Sequence, residues 1–534
     1  MPGARSFDFI IVGAGSAGCV LANRLTADPR ISVCLIEAGG SDRHPFIAAP
    51  AGFIKTIDDA RFNWCFKTEP ADGVKGRAIH FPRGKVLGGS SAINGHLYVR
   101  GQSRDYDTWA QLGNRGWSYD DVLPYFRKSE SFAGGDPATR GSDGPLHVSE
   151  IPSKHPICEA FLKGASELGL TVNPDYNSGQ QEGTAYYQRT IRGGRRWSAA
   201  HGFLRPSLKR PNLHLLSEAQ ALALTFEGKR ATGVRIRRHG QVAEITARRE
   251  VILSAGAIGS PHLLQVSGVG PGALLSDIGV AVRHDLPGVG ESFQDHYAIR
   301  CAAKVRGIET LNERARGWRL GVEIARWLAS GTGLLSFSPA HVAAFVRSQP
   351  HFDTPDLQFV FTPASYSEGV FGQLQPFPGM TAGVWQLRPE SKGYVRARSP
   401  DPDEAPLIQP NYLAAETDRR AIIDGLKWCR RFLATAALKP YFEAETMPGE
   451  RVGSDDEILD YARSRGATVY HAVSSCRMGA DPMAVVDDQL RVKGIASLRV
   501  IDASVMPTMP SANTNAATLM IAEKGADLLL ARQA

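Results

Sequence analysis

A glycine-rich turn near the start of the chain constrains the fold more than any other feature. An apolar run over residues 7–12 leads directly into Gly13, Gly15 and Gly18, spaced as G-x-G-x-x-G, and small residues in a helical pattern follow. In such a turn the first glycine permits the sharp bend, the second lets the backbone approach a pyrophosphate, and the third allows a helix to pack closely on the strand. The segment predicts the first strand, turn and helix of a dinucleotide-binding α/β fold.

An acidic residue follows at the position that such a fold needs. A second apolar run, residues 31–36, ends in Glu37. A carboxylate there can hold both hydroxyls of an adenosine ribose, while the helix N-terminus offers its positive end to the phosphates. A surface carboxylate is the alternative interpretation of Glu37. Nicotinamide and flavin dinucleotides both remain open on these residues alone.

Composition and charge remove several classes of protein. The 534 residues are 43% hydrophobic and 22% charged, which is typical of a globular protein, and the length alone suggests about three domains of about 150 residues. The net charge of +7 is carried by scattered basic residues, which favours solvated surface over a nucleic-acid partner. No apolar stretch approaches the length of about 20 residues that a membrane helix needs, so no transmembrane segment is predicted and only peripheral membrane contact remains open.

Cysteine usage and the N-terminus indicate the compartment. The seven cysteines lie far apart without a C-x-x-C pair, which argues against a disulfide framework and a zinc site. The N-terminus lacks the features of a signal peptide. We therefore expect reduced thiols, no metal and a cytoplasmic location.

Two further glycine clusters extend the pattern. Residues 84–95 read GKVLGGSSAING, a run that can lie flat against a ligand with its backbone N–H groups pointing inward. Residues 256–270 read GAIGSPHLLQVSGVG and follow a predicted strand over residues 250–254, so a helix again begins at the carboxyl end of a strand. With these two clusters the chain strongly resembles the glucose-methanol-choline (GMC) oxidoreductase family of FAD enzymes, and in particular its bacterial choline-dehydrogenase-like branch.

This resemblance, which runs from Asp8 to Asp527, implies an architecture in the α/β class. It predicts a discontinuous Rossmann-type FAD-binding domain, formed by residues 1–155, 196–300 and 461–534. Residues 156–195 and 301–460 are predicted to form a substrate-binding domain with an antiparallel sheet over the flavin. The substrate-binding part includes an amphipathic run over residues 311–328 and an alternating strand pattern over residues 357–361.

The resemblance also implies which residues hold FAD. Glu37 would bind the adenosine ribose, and the backbone of Ala221, on a strand predicted over residues 217–224, would meet adenine. Ile93 stands where some family members carry a histidine bonded covalently to the flavin, so non-covalent FAD is predicted. The implied cofactor-binding residues are Gly13, Gly15, Ser16, Ala17, Gly18, Glu37, Ala38, Val86, Gly89, Asn94, Gly95, Ala221, Tyr470, Asp502, Ala503 and Asn515.

Two residues near the C-terminus match the catalytic positions of the family. His471 corresponds to its active-site histidine, and Asn513 to its second catalytic residue, with Asn515 as the alternative should the alignment be shifted by two residues. From the residues alone, Asn513 could instead cap a helix over residues 516–526. The remaining histidines that we considered, His96, His201 and His296, are interpreted as structural or surface residues, with His96 the foremost exception because it follows the flavin loop.

The residue types suit hydride transfer from a carbinol carbon. A neutral imidazole can take the hydroxyl proton, an amide N–H can stabilise the oxygen, and flavin N5 accepts the hydride. We expect a primary alcohol, aromatic or aliphatic, to be oxidised to an aldehyde, with oxygen or a quinone or dye as acceptor. Choline is the alternative substrate, and its binding would need an aromatic cage or a carboxylate. Candidates for the cage are Trp64, Phe66, Tyr366, Phe371, Trp385 and Tyr470.

Three other activities remain open at this point. An FAD-containing lyase and a photodecarboxylase would share the glycine motifs, and a nicotinamide dehydrogenase would share the first of them.

Overall fold

The computed structural model describes residues 5–366 and 373–531. Phe371, one of the aromatic candidates, lies outside these residues. The strands are β1 (Arg5–Val12), β2 (Val33–Ile36), β3 (Phe66–Lys67), β4 (His80–Phe81), β5 (Glu130–Phe132), β6 (Leu146–Val148), β7 (Gly183–Tyr186), β8 (Ile191–Arg192), β9 (Arg195–Arg196), β10 (Leu213–Leu216), β11 (Ala219–Glu227), β12 (Arg230–Arg238), β13 (Gln241–Leu253), β14 (Val269–Gly270), β15 (His284–Asp285), β16 (Glu291–Phe293), β17 (Tyr297–Val305), β18 (Val342–Val346), β19 (Leu357–Thr362), β20 (Gly379–Gln386), β21 (Gly393–Arg396), β22 (Leu407–Gln409), β23 (Phe442–Met447), β24 (Ala467–Thr468) and β25 (Leu498–Val500).

Helices connect and cover these strands. They are α1 (Ser16–Leu25), α2 (Pro45–Ala48), α3 (Phe53–Thr56), α4 (Ser103–Gln111), α5 (Tyr119–Ser129), α6 (Pro156–Glu167), α7 (Arg205–Ser207), α8 (Gly256–Val266), α9 (Gly272–Asp277), α10 (Leu311–Arg314), α11 (Gly317–Ser330), α12 (Glu416–Leu433), α13 (Asp455–Arg465) and α14 (Asn515–Leu530). Short 3-10 turns lie at Pro50–Gly52, Asp72–Val74, Gly89–Ala92, Leu334–Ser336 and Ala503–Val505, and a π turn lies at Ala200–Leu204.

The first sheet is the dinucleotide-binding layer that the N-terminal glycines predict. Its parallel strands run in the order β10, β2, β1, β13 and β25, and β11 and β12 continue from β13 as antiparallel neighbours. Residues 9–12 of β1 are buried, as are all four residues of β2, because helices cover the parallel strands. Helices α1 and α14 contribute to the same apolar core. The α/β fold class is thus confirmed.

Close backbone contacts in the glycine turn hold α1 against the sheet. Gly13 has a φ of 102°, and a Cβ atom there would lie 2.4 Å from the carbonyl oxygen of Ser254. A Cβ atom on Gly18 would lie 1.9 Å from the carbonyl oxygen of Gly13. Both positions therefore require glycine, Gly13 for conformation and contact and Gly18 for contact alone.

The second sheet is antiparallel and lies across the carboxyl ends of the parallel strands. Its strands run in the order β23, β17, β20, β19, β18 and β7, and β24 pairs with the start of β17. Along β19, Leu357, Phe359 and Phe361 pack into a core with α6 and α12. Val360 and Thr362 point the opposite way and line a cavity, as the period of two in a strand requires. The alternating pattern predicted for residues 357–361 is therefore found.

Several sequence predictions need correction at their boundaries. The strand predicted over residues 217–224 is β11, which begins at Ala219, and the strand predicted over residues 250–254 is the end of β13, which stops at Leu253. The amphipathic run over residues 311–328 forms two helices, α10 and α11, because the backbone of Arg316 is extended. Asn513 does not cap the last helix; α14 begins at Asn515, and Thr514 precedes it. Strand β2 begins at Val33, two residues later than the apolar run.

The domain division remains a prediction. The second sheet takes β24 and the first residues of β17 from stretches assigned to the FAD-binding domain. None of the helices in the described ranges combines the length and apolar character that crossing a bilayer requires.

Replacement of Gly18 by alanine is expected to destabilise the fold. The added methyl group would overlap a backbone carbonyl, so α1 must move away from the sheet, at a cost of about 1–3 kcal/mol. Gly321→Ala is the matched control, because a Cβ atom at this position in α11 meets no other described residue within 4 Å and alanine favours a helix. Chemical denaturation would measure both changes, and equal stability of the two variants would contradict the packing role of Gly18.

Candidate functional site

A continuous cavity of about 520 Å³ lies between the two sheets. It runs from Glu37 and Ala221 at the first sheet to His471 and Trp385 beneath the second. The sequence-predicted residues that line it are Gly13, Gly15, Ser16, Ala17, Glu37, Ala38, Gly89, Asn94, Gly95, Ala221, Tyr470, His471, Asp502, Ala503, Asn513 and Asn515.

Two predicted cofactor residues do not line this cavity. Val86 is buried in a small apolar cluster with Ile47 and Phe62, so its side chain faces away. Gly18 packs against Gly13 and supports the turn from behind.

Asp403, exposed at the cavity margin, forms an ion pair with Arg237 on β12, near the end of the cavity that Ala221 lines.

Glu37 is buried at one end of the cavity, so the surface interpretation of this residue is wrong. Its two carboxylate oxygens accept backbone N–H hydrogen bonds from Ala14 at 2.9 Å and Gly39 at 2.8 Å. Burial raises the pKa of Glu37 to about 7, while these two hydrogen bonds act in the opposite direction by favouring the ionised form. The carboxylate is thereby oriented along the cavity wall with acceptor capacity left for ligand hydroxyls.

The glycine turn leaves open space where a phosphate would need it. A Cβ atom on Gly15 would have Gly89 Cα, 3.9 Å away, as its nearest neighbour, whereas Gly13 and Gly18 are tightly enclosed. Gly15 precedes α1, whose N-terminus faces the cavity with Ser16 and Ala17. The Ser16 hydroxyl donates to Asn515 Oδ1 at 2.7 Å, which ties the start of α1 to the start of α14.

The carboxylate of Asp502 organises loops of the protein. One oxygen accepts from the Gly256 N–H at 2.8 Å and from the Ser260 hydroxyl, and the other accepts from the N–H and hydroxyl of Ser504. Burial raises the pKa of Asp502, while these hydrogen bonds favour its ionised form. Its carboxylate therefore shapes the cavity wall, and the adjoining Ala503 also lines it.

A buried arginine sits behind the second glycine loop. Arg196 donates to the backbone and side-chain oxygens of Asn94 at 2.8 and 2.9 Å and to the Ile47 carbonyl at 3.0 Å. Burial lowers its pKa to about 9, so it still carries a positive charge at neutral pH. His96, two residues after Asn94, lines the cavity and is buried, and neither ring nitrogen has a hydrogen-bond partner among the described residues.

His471 lies at the other end of the cavity and is held at three points. Its backbone N–H donates to Asp295 at 2.6 Å, and Asp295 also accepts from the hydroxyls of Tyr412 and Thr468. Its ring Nδ1 lies 2.9 Å from Nδ1 of His296, and its Nε2 lies 3.0 Å from the amide nitrogen of Asn513. Burial lowers the pKa of His471 well below the usual value, and His296 and Arg83 lower it further, so the ring is neutral.

The carbonyl of Leu387, acting through His296, determines which nitrogen of the His471 ring carries the proton. His296 Nε2 lies 2.8 Å from the Leu387 carbonyl oxygen, which can only accept, so Nε2 of His296 carries the proton. Burial lowers the pKa of His296 to about 4, so the ring is neutral and its Nδ1 is an acceptor. His471 must therefore donate from Nδ1, which leaves Nε2 unprotonated, as an acceptor on the cavity wall.

The carbonyl of Phe359, acting through other side chains, independently indicates that Nε2 of His471 is unprotonated. The Tyr187 hydroxyl donates to the Phe359 carbonyl at 3.0 Å and accepts from Gln358 Nε2 at 2.9 Å. Gln358 Nε2 also donates to Asn513 Oδ1 at 3.1 Å, so the amide nitrogen of Asn513 faces His471. An amide nitrogen only donates, which again makes His471 Nε2 the acceptor.

This geometry separates the two asparagines. Asn513 faces the base, and Asn515 contacts Ser16 at the glycine turn. The position beside His471 therefore belongs to Asn513 rather than Asn515.

The sequence does not predict several residues of this network, which include Asp295, Tyr187, His296 and Gln358. His296 was interpreted as structural or surface, but it is buried and contacts His471 directly. Gln358 lies in the predicted strand pattern, and the sequence assigns it no role in the site. The feature that could have indicated such a role is its polar side chain within an otherwise apolar run. His201 lies apart from the cavity, beside Asp42. Trp64, Phe66, Tyr366, Trp385 and Tyr470 all line the cavity.

Comparison with known proteins identifies the family. The sequence profiles of GMC oxidoreductase match residues 7–298 and 389–522. The chain belongs to the GMC oxidoreductase family. It is 41% identical to oxygen-dependent choline dehydrogenase of Brucella anthropi over 98% of this chain and 96% of that protein. Identity and coverage are the same for alcohol dehydrogenase [acceptor] of Pseudomonas putida.

The fold of a solved oxidase agrees with this assignment. The structure of pyridoxine 4-oxidase from Mesorbium loti superposes with a TM-score of 0.88 at 31% identity, covering 98% of each chain. The chain is thus an FAD-dependent oxidoreductase, which removes the nicotinamide alternative. The geometry of the cavity also fits FAD. Gly15 leaves space for a phosphate at a helix N-terminus, and the Glu37 carboxylate can accept hydrogen bonds from ribose hydroxyls. Both ring nitrogens of His96 are buried and lack a partner among the described residues.

Replacement of Gly15 by alanine is expected to weaken FAD binding without unfolding the protein. Among the described residues apart from its chain neighbours, the methyl group has Gly89 Cα, 3.9 Å away, as its nearest contact, but it occupies the space at the N-terminus of α1. We expect the Kd for FAD to rise about tenfold or more, which corresponds to the loss of about 1.4 kcal/mol of binding free energy. Titration of the apoprotein with FAD would measure the Kd, and its melting temperature should match that of wild-type apoprotein. Unchanged affinity would show that Gly15 does not face the cofactor.

Proposed function

We propose that this protein oxidises a primary alcohol to an aldehyde, with His471 as the base that takes the hydroxyl proton. The observation that carries the proposal is the unprotonated Nε2 of His471 at the cavity wall. Its protonation state is fixed by His296, and it accepts the amide N–H of Asn513. A neutral base and a neutral donor that converge on one point suit an oxygen that must lose a proton.

His471 and Asn513 have different roles at the alcohol oxygen. As the alcohol binds, its oxygen accepts the Asn513 N–H and its hydroxyl donates to His471 Nε2, replacing the direct contact between the two side chains. Asn513 stabilises the negative charge that develops on the oxygen, and it does not compete for the proton. FAD, when bound, supplies the hydride acceptor. His296 and Gln358 keep both groups in the required orientation throughout.

We propose that the remaining cavity residues bind FAD. Glu37, Ala38 and Ala221 would hold adenosine, Gly13, Gly15, Ser16 and Ala17 would hold the pyrophosphate, and the rest of the cofactor would extend past Gly89, Asn94, Gly95, Asp502, Ala503, Asn515 and Tyr470. Ile93 offers no nucleophile beside Asn94, which supports a non-covalent cofactor. Flavin retained on the acid-denatured chain would contradict this.

The charges of the cavity favour a neutral alcohol over choline. Arg83 and Arg300 line it together with Tyr366 and Trp385. The acidic residues in the described lining are Glu37, Asp403, Glu404 and Asp502, of which the first binds the glycine turn and the last is saturated by hydrogen bonds. Five of the six aromatic candidates for a cage line the cavity, and curated relatives include choline dehydrogenases, so the preference for a neutral alcohol rests on the positive charge of Arg83, which also acts on His471.

The electron acceptor and the compartment are also proposed. Oxygen or a quinone or dye would reoxidise the flavin, since the relatives include an oxygen-dependent and an acceptor-dependent enzyme. A cytoplasmic location is supported by the cysteines, because all seven lie in the described residues and no disulfide joins them.

Anaerobic mixing of the holoenzyme with primary alcohols tests the proposal. Benzyl alcohol and aliphatic alcohols should bleach the flavin band, and choline should do so with a lower kcat/KM. His471→Ala should slow bleaching about 10²–10⁴-fold while FAD stays bound, because only the base is removed. Repetition with oxygen and with a dye would identify the acceptor. No bleaching by any alcohol would exclude the proposal and favour a lyase or photodecarboxylase.

The pH dependence of flavin reduction follows from the lowered pKa of His471. The base is active when unprotonated, and burial favours that form, so protonation should inhibit only at a pH below the usual histidine range. We expect the rate constant for reduction to stay level between about pH 6 and 8 and to fall on further acidification. Stopped-flow measurements at saturating alcohol would check this. A midpoint at about pH 6.5 or higher would show that the buried environment does not control the base.

A further inference from the structure

Helix α11 lies on the surface with its apolar side facing outward. Among its large apolar residues, Trp318, Val322, Ile324 and Leu328 are 77%, 53%, 40% and 64% exposed. With a rotation of 100° per residue, these four side chains occupy one broad arc of the helix. Only Glu323 and Trp327 of the helix are buried. A helix that serves only to cover a core would have the opposite orientation.

Specific contacts hold α11 in this orientation. Glu323 pairs with Arg314 and accepts the N–H of Leu334 at 2.7 Å. Trp327 Nε1 donates to the Gly194 carbonyl at 2.8 Å, and Leu320 packs on the cluster that contains Phe337. The exposed arc is therefore a fixed feature of the fold.

Exposed arginines lie beside this arc. Arg319 and Arg326 are exposed on α11, and its only acidic residue, Glu323, is buried. The neighbouring hairpin of β8 and β9 adds exposed Arg192 and Arg195, with the Arg195 guanidinium 5.0 Å from the Trp327 ring centre. Arg319 also pairs with Glu309, which offsets part of this charge.

We propose that α11 binds in the plane of a lipid bilayer that carries anionic headgroups. Its exposed tryptophan, leucine, isoleucine and valine would enter the boundary between headgroups and acyl chains, and the arginines would remain at headgroup level. A second copy of the chain is the weaker occupant, because a symmetric contact would bring the arginines of both copies together. Anionic lipid is complementary to both the apolar arc and its charge.

The docked surface would adjoin the wall of the substrate cavity. Arg316, which directly precedes α11, donates to the Leu374 carbonyl at 2.7 Å. Leu374 is bridged to Tyr366, and Tyr366 lines the cavity. Membrane binding by α11 is independent of the identity of the alcohol or the acceptor, because this surface lies outside the catalytic residues.

Vesicle binding by the full-length holoenzyme tests this proposal. We expect a higher partition coefficient with vesicles of phosphatidylcholine plus phosphatidylglycerol than with phosphatidylcholine alone. The double variant Trp318→Ser/Leu328→Ser should lower the coefficient about tenfold or more, since burial of each side chain contributes strongly to binding. Arg319→Gln/Arg326→Gln should weaken binding to the anionic vesicles and reduce its sensitivity to salt.

A matched control uses apolar residues that are exposed elsewhere. Val172→Ser/Val242→Ser should leave the partition coefficient unchanged, and alcohol oxidation in solution should be unaffected in every variant. Brominated lipid should quench part of the tryptophan fluorescence of wild type, and Trp318→Phe should remove that part. Absence of vesicle binding, or an equal loss in the control, would overturn the proposal. It would also be overturned if the α11 variants dissociated a dimer in sedimentation without changing vesicle binding.

Discussion

The hydrogen bond between His471 and His296 controls the chemistry of the cavity, because it determines which nitrogen of His471 lacks a proton. Its direction is set by the Leu387 carbonyl behind His296 and is matched by the Phe359 carbonyl at the far end of the network. Both carbonyls belong to the second sheet or its immediate continuation. The antiparallel sheet thus orients the base in addition to covering the cavity.

The two sheets contribute to the site by different physical means. In the first, backbone atoms approach each other at Gly13 and Gly18, so the turn and helix are fixed by the absence of side chains. In the second, the alternation along β19 and β20 directs one set of side chains into an apolar core and the other toward the cavity. Register matters more in the second sheet, since a shift by one residue would exchange Gln358 with Phe359 and break the link to Asn513.

Local patterns explain why much of the site could be predicted from the sequence. The turn at Gly13, the acid at Glu37 and the helix after Gly256 each depend on residues close together in the chain, so spacing was sufficient. His471 and Asn513 required resemblance to a family, because a single histidine or asparagine carries no signal of its own. His296 lies 175 residues from His471 and meets it through the pairing of β17 with β24 and the adjacent bridge between Gln294 and Val473. Such a contact depends on tertiary register, which spacing within one sequence does not reveal.

Burial gives the base a property that its residue type alone would not supply. Desolvation, together with His296 and Arg83, makes a protonated His471 unfavourable, so the resting ring stays neutral. The same environment makes it a weak base toward water. Proton transfer becomes favourable only when negative charge develops on an oxygen held between Nε2 and the Asn513 amide, because the imidazolium is then next to its counter-charge. The site thereby restricts proton removal to a bound alcohol, and this selectivity comes from the fixed network rather than from a strongly basic group.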